Sequence, residues 1–181
     1  GRTRAAEIGF VAQNPENQIV TDKVWHELAF GLESLGRDSR SIRLRVAELS
    51  SFFGIEHWFH KDTWSLSGGE KQLLNLAAAM VTGPSILVLD EPTAYLDPMG
   101  AEEFLSALSR INRDLGTTVI LSEQRLESVL PLADRVWVMD GGRVICDAPP
   151  KKAGAFLKKA GHPLFGAMPS PMRIYSGDGS L

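Results

Sequence analysis

Two neighbouring segments constrain this sequence more than any other part of it. They are Leu66-Ser67-Gly68-Gly69-Glu70-Lys71-Gln72 and Ile86-Leu87-Val88-Leu89-Asp90-Glu91-Pro92-Thr93. The first puts a serine and two glycines at the head of a strongly apolar helix. Ser67 is placed to cap that helix, and Glu70 stands where a capping box wants it. Free backbone N–H groups at such a terminus, with no side chain on either glycine, make a seat for a phosphate. The second segment is a short, fully apolar strand that delivers two carboxylates at its carboxyl end, where α/β sheets hold ligands. Taken alone, each segment also reads as plain architecture: a capped core helix, or a buried strand with a polar turn. Both together, in this order and followed by Tyr95-Leu96-Asp97, carry more information than either.

Composition sets looser bounds. The 181 residues fit one domain, and 44% hydrophobic content can supply a core. A net charge of −3 does not suit bulk nucleic-acid binding. The single cysteine, Cys146, excludes an internal disulfide and agrees with a reducing compartment. It alternates with apolar neighbours, as a packed thiol would. No apolar run approaches the length that crosses a bilayer, and no signal peptide is expected at the start. A membrane role would come through a partner. His26, His57, His60 and His162 have no metal-ligand spacing.

Periodicity and punctuation organise the chain. Ile8–Ala12 reads as a strand followed by Gln13 and the turn cluster Asn14-Pro15-Glu16-Asn17. Thr21 or Asp22 is expected to cap a helix running to Leu35, with Val24, Trp25, Leu28, Ala29 and Leu32 on one face. A second helix starts at Asp38 or Ser39 and stops at Gly54. With the helix headed by Ser67, residues 22–82 are expected to form an all-helical insert. Residues 1–21 precede that insert, and residues 83–160 follow it. That remainder holds the Ser85–Leu89 strand, a Pro98–Leu115 amphipathic helix, a Thr117–Ser122 strand, a short Arg125–Leu130 helix, a hairpin about Asp140-Gly141-Gly142 and a Lys151–Ala160 helix. The Pro, Gly and Ser content of residues 161–181 predicts a weakly ordered tail or linker.

The two opening segments resemble the signature and Walker B motifs of ATP-binding-cassette (ABC) ATPases, with Asp97 at the family's D-loop position. The resemblance implies an α/β fold of the P-loop NTPase kind: a mostly parallel sheet flanked by helices, with an inserted helical subdomain. It implies that Asp90 holds Mg²⁺ through water and that Glu91 polarises the water attacking the γ-phosphate of ATP. Gln13 takes the glutamine-loop position, contacting Mg²⁺ or that water. Ser67, Gly68, Gly69 and Glu70, with Asp97, would serve ATP bound to a second ABC subunit, identical or different. Gln124 falls where the family places a switch histidine. It keeps a neutral donor and an acceptor but cannot become cationic; a polar loop residue would look the same.

No Gly-rich loop ending in Gly-Lys-Ser or Gly-Lys-Thr occurs in the sequence, and it opens almost at the glutamine. It therefore resembles the carboxyl part of an ABC ATPase, and as given it is expected to bind ATP poorly. The absent strand is expected beside the Asp90 strand, which would leave that strand with an unpaired edge.

Gln13-Asn14-Pro15-Glu16-Asn17-Gln18, Val24-Trp25-His26-Glu27-Leu28-Ala29-Phe30-Gly31 and Ser122-Glu123-Gln124-Arg125-Leu126-Glu127 look like the subgroup that energises energy-coupling-factor importers of vitamins and cobalt. That implies a transmembrane coupling protein as partner and a peripheral place on the cytoplasmic face of the membrane. Two other readings stay open. One is a non-transport ABC ATPase; the repair and chromosome types are disfavoured because no sustained heptads lie between Gln13 and Ser67. The other is a degenerate subunit that only donates its signature face.

Overall fold

The computed structural model describes residues 7–175. The chain divides into two compact units, residues 1–123 and 124–181.

The first unit holds a parallel sheet of β1 (Ile8–Val11), β2 (Ile86–Asp90) and β3 (Thr118–Ser122), in the order β1-β2-β3. Val11 lies opposite Leu89, and Asp90 opposite Ser122. The strand carrying Asp90 is thus central, with hydrogen-bonded neighbours on both sides. This corrects the expected unpaired edge. The reason is topological: the helical insert brings β1 to one flank of β2, and the β2–helix–β3 crossover brings β3 to the other.

Between β1 and β2 come α1 (Val24–Ser34), α2 (Ser39–Phe53) and α3 (Gly68–Met80); α4 (Pro98–Leu115) joins β2 to β3. The helices start and stop for local reasons. The Asp38 carboxylate accepts from the amides of Arg40 and Ser41, and that hydrogen bonding, led by the Ser41 hydroxyl, holds its carboxyl below the usual range. Gly54 ends α2 at φ 72°. Asp97 caps α4, with Pro98 in its first turn and Gly116 at φ 69° after its last.

Neither Thr21 nor Asp22 caps α1. Lys23 stands at that position without a side-chain bond. Instead the buried Glu27 reaches back and accepts from the amides of Val20 and Thr21, at 3.1 and 2.8 Å.

The core gathers around α3. Leu74, Leu76, Ala77 and Met80 are buried, together with Val24 and Leu28 of α1, Val11 of β1 and Leu87 and Leu89 of β2. The approach of β1 to α3 requires glycine at position 9. A Cβ there would lie 3.0 Å from Leu87 Cδ1 and 3.2 Å from the Ala79 carbonyl. Within α1, Trp25 is half-buried and Phe30 is 50% exposed, so Phe30 is a surface residue.

The second unit contains α5 (Leu126–Val129), an antiparallel hairpin of β4 (Val136–Asp140) and β5 (Arg143–Ala148), α6 (Pro150–Lys159) and α7 (Ser170–Tyr175). Leu130, Val138, Leu157 and Met168 make its own small core, with Cys146 packed against it. The stretch from Gly161 was expected to be weakly ordered. The described part of it forms a 3₁₀ turn, Pro163–Ala167, and α7, and Met168 anchors them in that core. Composition registers the glycines and prolines but not a single well-placed methionine. The remainder of the expected tail, residues 176–181, lies outside the described residues.

Among the described residues no helix is long and apolar enough to cross a membrane.

Candidate functional site

The carboxyl ends of the three parallel strands assemble one polar cluster. Gln13 follows β1, Asp90 ends β2 and Glu91 follows it, and Ser122 ends β3. The Gln13 carboxamide donates to the Glu91 carboxylate, Nε2 to Oε2, at 3.0 Å. The Ser122 hydroxyl donates to Asp90 Oδ1 at 2.8 Å and accepts from the Glu91 amide at 3.1 Å. The same amide reaches the Ser122 carbonyl at 3.1 Å.

Glu91 is the one non-glycine residue with positive φ, at 40°, among the described residues. A left-handed backbone at a side chain of this size costs about 1–3 kcal/mol and persists where the surroundings over-determine it. The two bonds from its amide to Ser122 are part of what holds it. The turn continues through Thr93, 3% exposed, whose amide donates to Glu123 Oε1 at 3.1 Å and whose hydroxyl donates to the same oxygen.

A second cluster forms where α3 and α4 begin. Ser67 accepts from the Glu70 amide at 3.2 Å, and the Glu70 carboxylate accepts from the Ser67 amide at 2.7 Å, a complete capping box. Lys61 lies 3.9 Å from the same carboxylate. Asp97 accepts from the Gly100 amide at 2.7 Å. The two helix starts adjoin: a Cβ on Gly69 would stand 3.7 Å from Gly100 Cα, and one on Gly68 would stand 4.0 Å from the Tyr95 carbonyl. Both are ordinary contacts, and neither glycine has positive φ. Packing within this chain therefore does not demand glycine at either position. Their bareness leaves room for a ligand to approach the Gly68 and Gly69 N–H groups, while the Glu70 amide is taken up by the Ser67 hydroxyl.

Gln124 opens the second unit. The structure thus brings Gln13, Asp90 and Glu91 together, and separately joins Ser67, Gly68, Gly69, Glu70 and Asp97.

Several residues of the first cluster escape sequence reasoning. Ser122 and Glu123 are loop-end polar groups whose partners, Asp90 with Glu91 and Thr93, lie some thirty positions away. Their signal was the β3 alternation ending level with Asp90. Gln72 and Asn75 are buried polar residues spaced i, i+3 on an otherwise apolar face. That departure from binary patterning was visible in the sequence but has no meaning until α3 is set against β1. Among the described residues no group of three or more His, Cys, Asp or Glu side chains is arranged to hold a metal. Mg²⁺ needs no such cage, since it keeps water and substrate oxygens and takes one or two protein oxygens. The Asp90 carboxylate and the Gln13 carbonyl are hard donors of that kind.

The α/β sheet, the helical insert beside it and the motif geometry define a nucleotide-binding cassette. Comparison with known proteins agrees. The family model described as ABC transporter matches residues 2–94, and the chain belongs to that family. A Bacillus cereus protein named as an ABC transporter ATP-binding protein is 55% identical over 148 residues, covering 82% of this chain and 27% of its own length. The energy-coupling factor transporter ATP-binding protein EcfA1 of Caldanaerobacter subterraneus is 44% identical over 158 residues, covering 84% of this chain and 56% of that protein. The solved structure of cbiO1 from Clostridium perfringens, part of the ABC transporter complex cbiONQ, superposes with a TM-score of 0.79. It is 36% identical, and the match covers 88% of this chain and 64% of that one. The chain thus spans about a quarter of the Bacillus relative and little over half of the Caldanaerobacter one.

Proposed function

We propose that this chain is part of an ATP-hydrolysing subunit that powers an ABC importer of the energy-coupling-factor type, for vitamins or metal ions. The observation that carries the reading is the Gln13–Glu91 hydrogen bond beside Asp90, at the carboxyl ends of adjacent parallel strands. Phosphoryl transfer asks a protein for positioning and charge stabilisation more than for covalent chemistry. Glu91 accepts a hydrogen bond from the attacking water. The bond from that water's oxygen to the γ-phosphorus forms as the bond to the β,γ-bridging oxygen breaks, and ADP leaves. Gln13 orients the Glu91 carboxylate, and Ser122 fixes Asp90 and the strained turn. Mg²⁺, held by Asp90 and Gln13, would neutralise charge on the phosphate oxygens.

The organisation read from sequence belongs to the same proposal. Residues 22–82 act as a helical subdomain whose Ser67, Gly68, Gly69 and Glu70, with Asp97, face ATP held by a second ABC subunit. Residues 1–21 and 83–160 supply the lobe that acts on the other ATP, with Gln124 at the switch position. The partners are that second subunit and a transmembrane coupling protein, at the cytoplasmic face of the membrane, with no nucleic acid. Support for the subgroup comes from the energy-coupling-factor relative and from cbiO1.

Gln124 favours a second reading, a degenerate subunit that offers only its signature face. The assembled Gln13, Asp90 and Glu91 cluster weighs against it.

The test is to graft this chain in place of the segment it matches in the Caldanaerobacter protein and assemble the graft with that protein's own partners. Mg-ATP hydrolysis coupled to substrate uptake into vesicles is expected. A graft that assembles and holds ATP but neither hydrolyses it nor supports uptake would favour the degenerate reading.

A further inference from the structure

Gln72 makes a connection that none of these roles uses. It lies in the second turn of α3 and is 0% exposed. Its carboxamide nitrogen donates twice, to the Ala12 carbonyl and to the Pro92 carbonyl, each at 3.0 Å. Ala12 immediately precedes Gln13, and Pro92 immediately follows Glu91. One side chain of the signature helix therefore fastens both backbone segments whose side chains meet in the Gln13–Glu91 bond.

The neighbours of Gln72 extend the fastening. Asn75 Nδ2 donates to Gln72 Oε1 at 3.4 Å and to the Pro15 carbonyl at 3.1 Å, and Lys71 Nζ donates to Glu16 at 2.5 Å. Three residues of α3 thus hold Ala12, Pro15 and Glu16, the loop that carries Gln13. On the other side, the strained Glu91 turn is clamped at its amide by Ser122 and at the next carbonyl by Gln72.

We propose that Gln72 is a positioning residue for hydrolysis, carrying the position of the signature helix to Glu91. This rests on the functional reading above. The start of α3 faces one nucleotide and Glu91 serves the other, so a single carboxamide couples the two. A shift of α3 against the sheet must either break a bond in a buried site, leaving polar groups unpaired, or carry Ala12 and Pro92 with it. The second course moves Gln13 and Glu91 together. When α3 closes on its nucleotide, Glu91 is brought to its working position; when α3 withdraws, the strained turn is free to relax.

The test uses the graft described above. Gln72→Met keeps length and removes the donor. It is expected to lower kcat about tenfold or more, since small misplacements of a catalytic group are costly. KM for ATP should stay within about twofold, because a group acting only in the transition state leaves ground-state binding alone. The loss should be non-additive with Gln13→Ala, because both act through Glu91. Purely structural damage would instead lower the melting temperature and add to the Gln13 effect, and that result overturns the proposal. Gln72→Glu gives a second readout that survives poor folding of the first variant. Its neutral carboxyl donates one hydrogen and its carboxylate none, so kcat relative to the unsubstituted graft should rise as pH falls. A flat ratio overturns the proposal. If Glu91→Gln leaves turnover intact, the functional reading itself fails. If Glu91→Gln abolishes turnover while both Gln72 variants keep full kcat, only the inference about Gln72 fails.

Discussion

The Gln13 carboxamide donates a 3.0 Å hydrogen bond to the Glu91 carboxylate across 78 positions of sequence. Adjacent parallel strands end side by side, with Val11 level with Leu89, so the residues that follow them meet. The bond fixes one oxygen of Glu91 in a turn already constrained by its backbone.

Gln13→Ala should release that carboxylate. In the assembled graft, kcat is expected to fall about tenfold because Glu91 is released, and KM for Mg-ATP to rise as well because the carbonyl proposed to hold Mg²⁺ is lost. Steady-state rates over a range of ATP concentrations check this. A rise in KM at constant kcat would assign Gln13 to substrate binding alone.

Ser122→Ala removes the hydroxyl that joins Asp90 to the Glu91 amide. Two hydrogen bonds are lost, one from the Glu91 amide and one to the Asp90 carboxylate, each contributing about 1 kcal/mol at this exposed site. Turnover should fall further than stability alone explains, because the turn at Glu91 loses one of its two amide acceptors. Chemical denaturation and initial rates, measured on the same preparation, separate the two effects.

Much of this was legible in the sequence, and the remainder had definite reasons to be hidden. The Ser67 cap, the Glu70 capping box, the Asp38 cap and the Gly54 and Gly116 stops are local and were readable from side-chain chemistry. Asp90 and Glu91 at a strand end were readable because an apolar run that stops at two carboxylates leaves few alternatives. The central place of β2 was not, since strand order depends on which crossover packs where. Nor was the work of Gln72, Asn75, Ser122 and Glu123, whose partners are distant in sequence. At α1, Thr21 and Asp22 both have capping chemistry, yet Glu27 satisfies the preceding amides instead. That is a tertiary choice between equivalent local solutions.

Phe30 on α1 is exposed, and that helix is the next one along the chain after the 3₁₀ turn that follows Gln13. We propose that this face is the one that meets the transmembrane coupling protein. Phe30→Asp is expected to abolish uptake into reconstituted vesicles while sparing ATP hydrolysis by the isolated subunits. Unchanged uptake would remove this face from the interface.

Gln124 lacks the cationic form available to histidine. Gln124→Ala should cost less turnover than Glu91→Gln, and Gln124→His should raise turnover if this position faces the γ-phosphate. A flat response to both substitutions would show that position 124 plays no switching part.

Glu91→Gln in the assembled graft tests the central claim most directly. The substitution keeps shape and removes the negative charge that polarises the attacking water. The account predicts that hydrolysis is abolished while Mg-ATP is retained, trapping a closed dimer detectable by sedimentation. Hydrolysis continuing near the unsubstituted rate would contradict it, because the group said to activate water would then be dispensable.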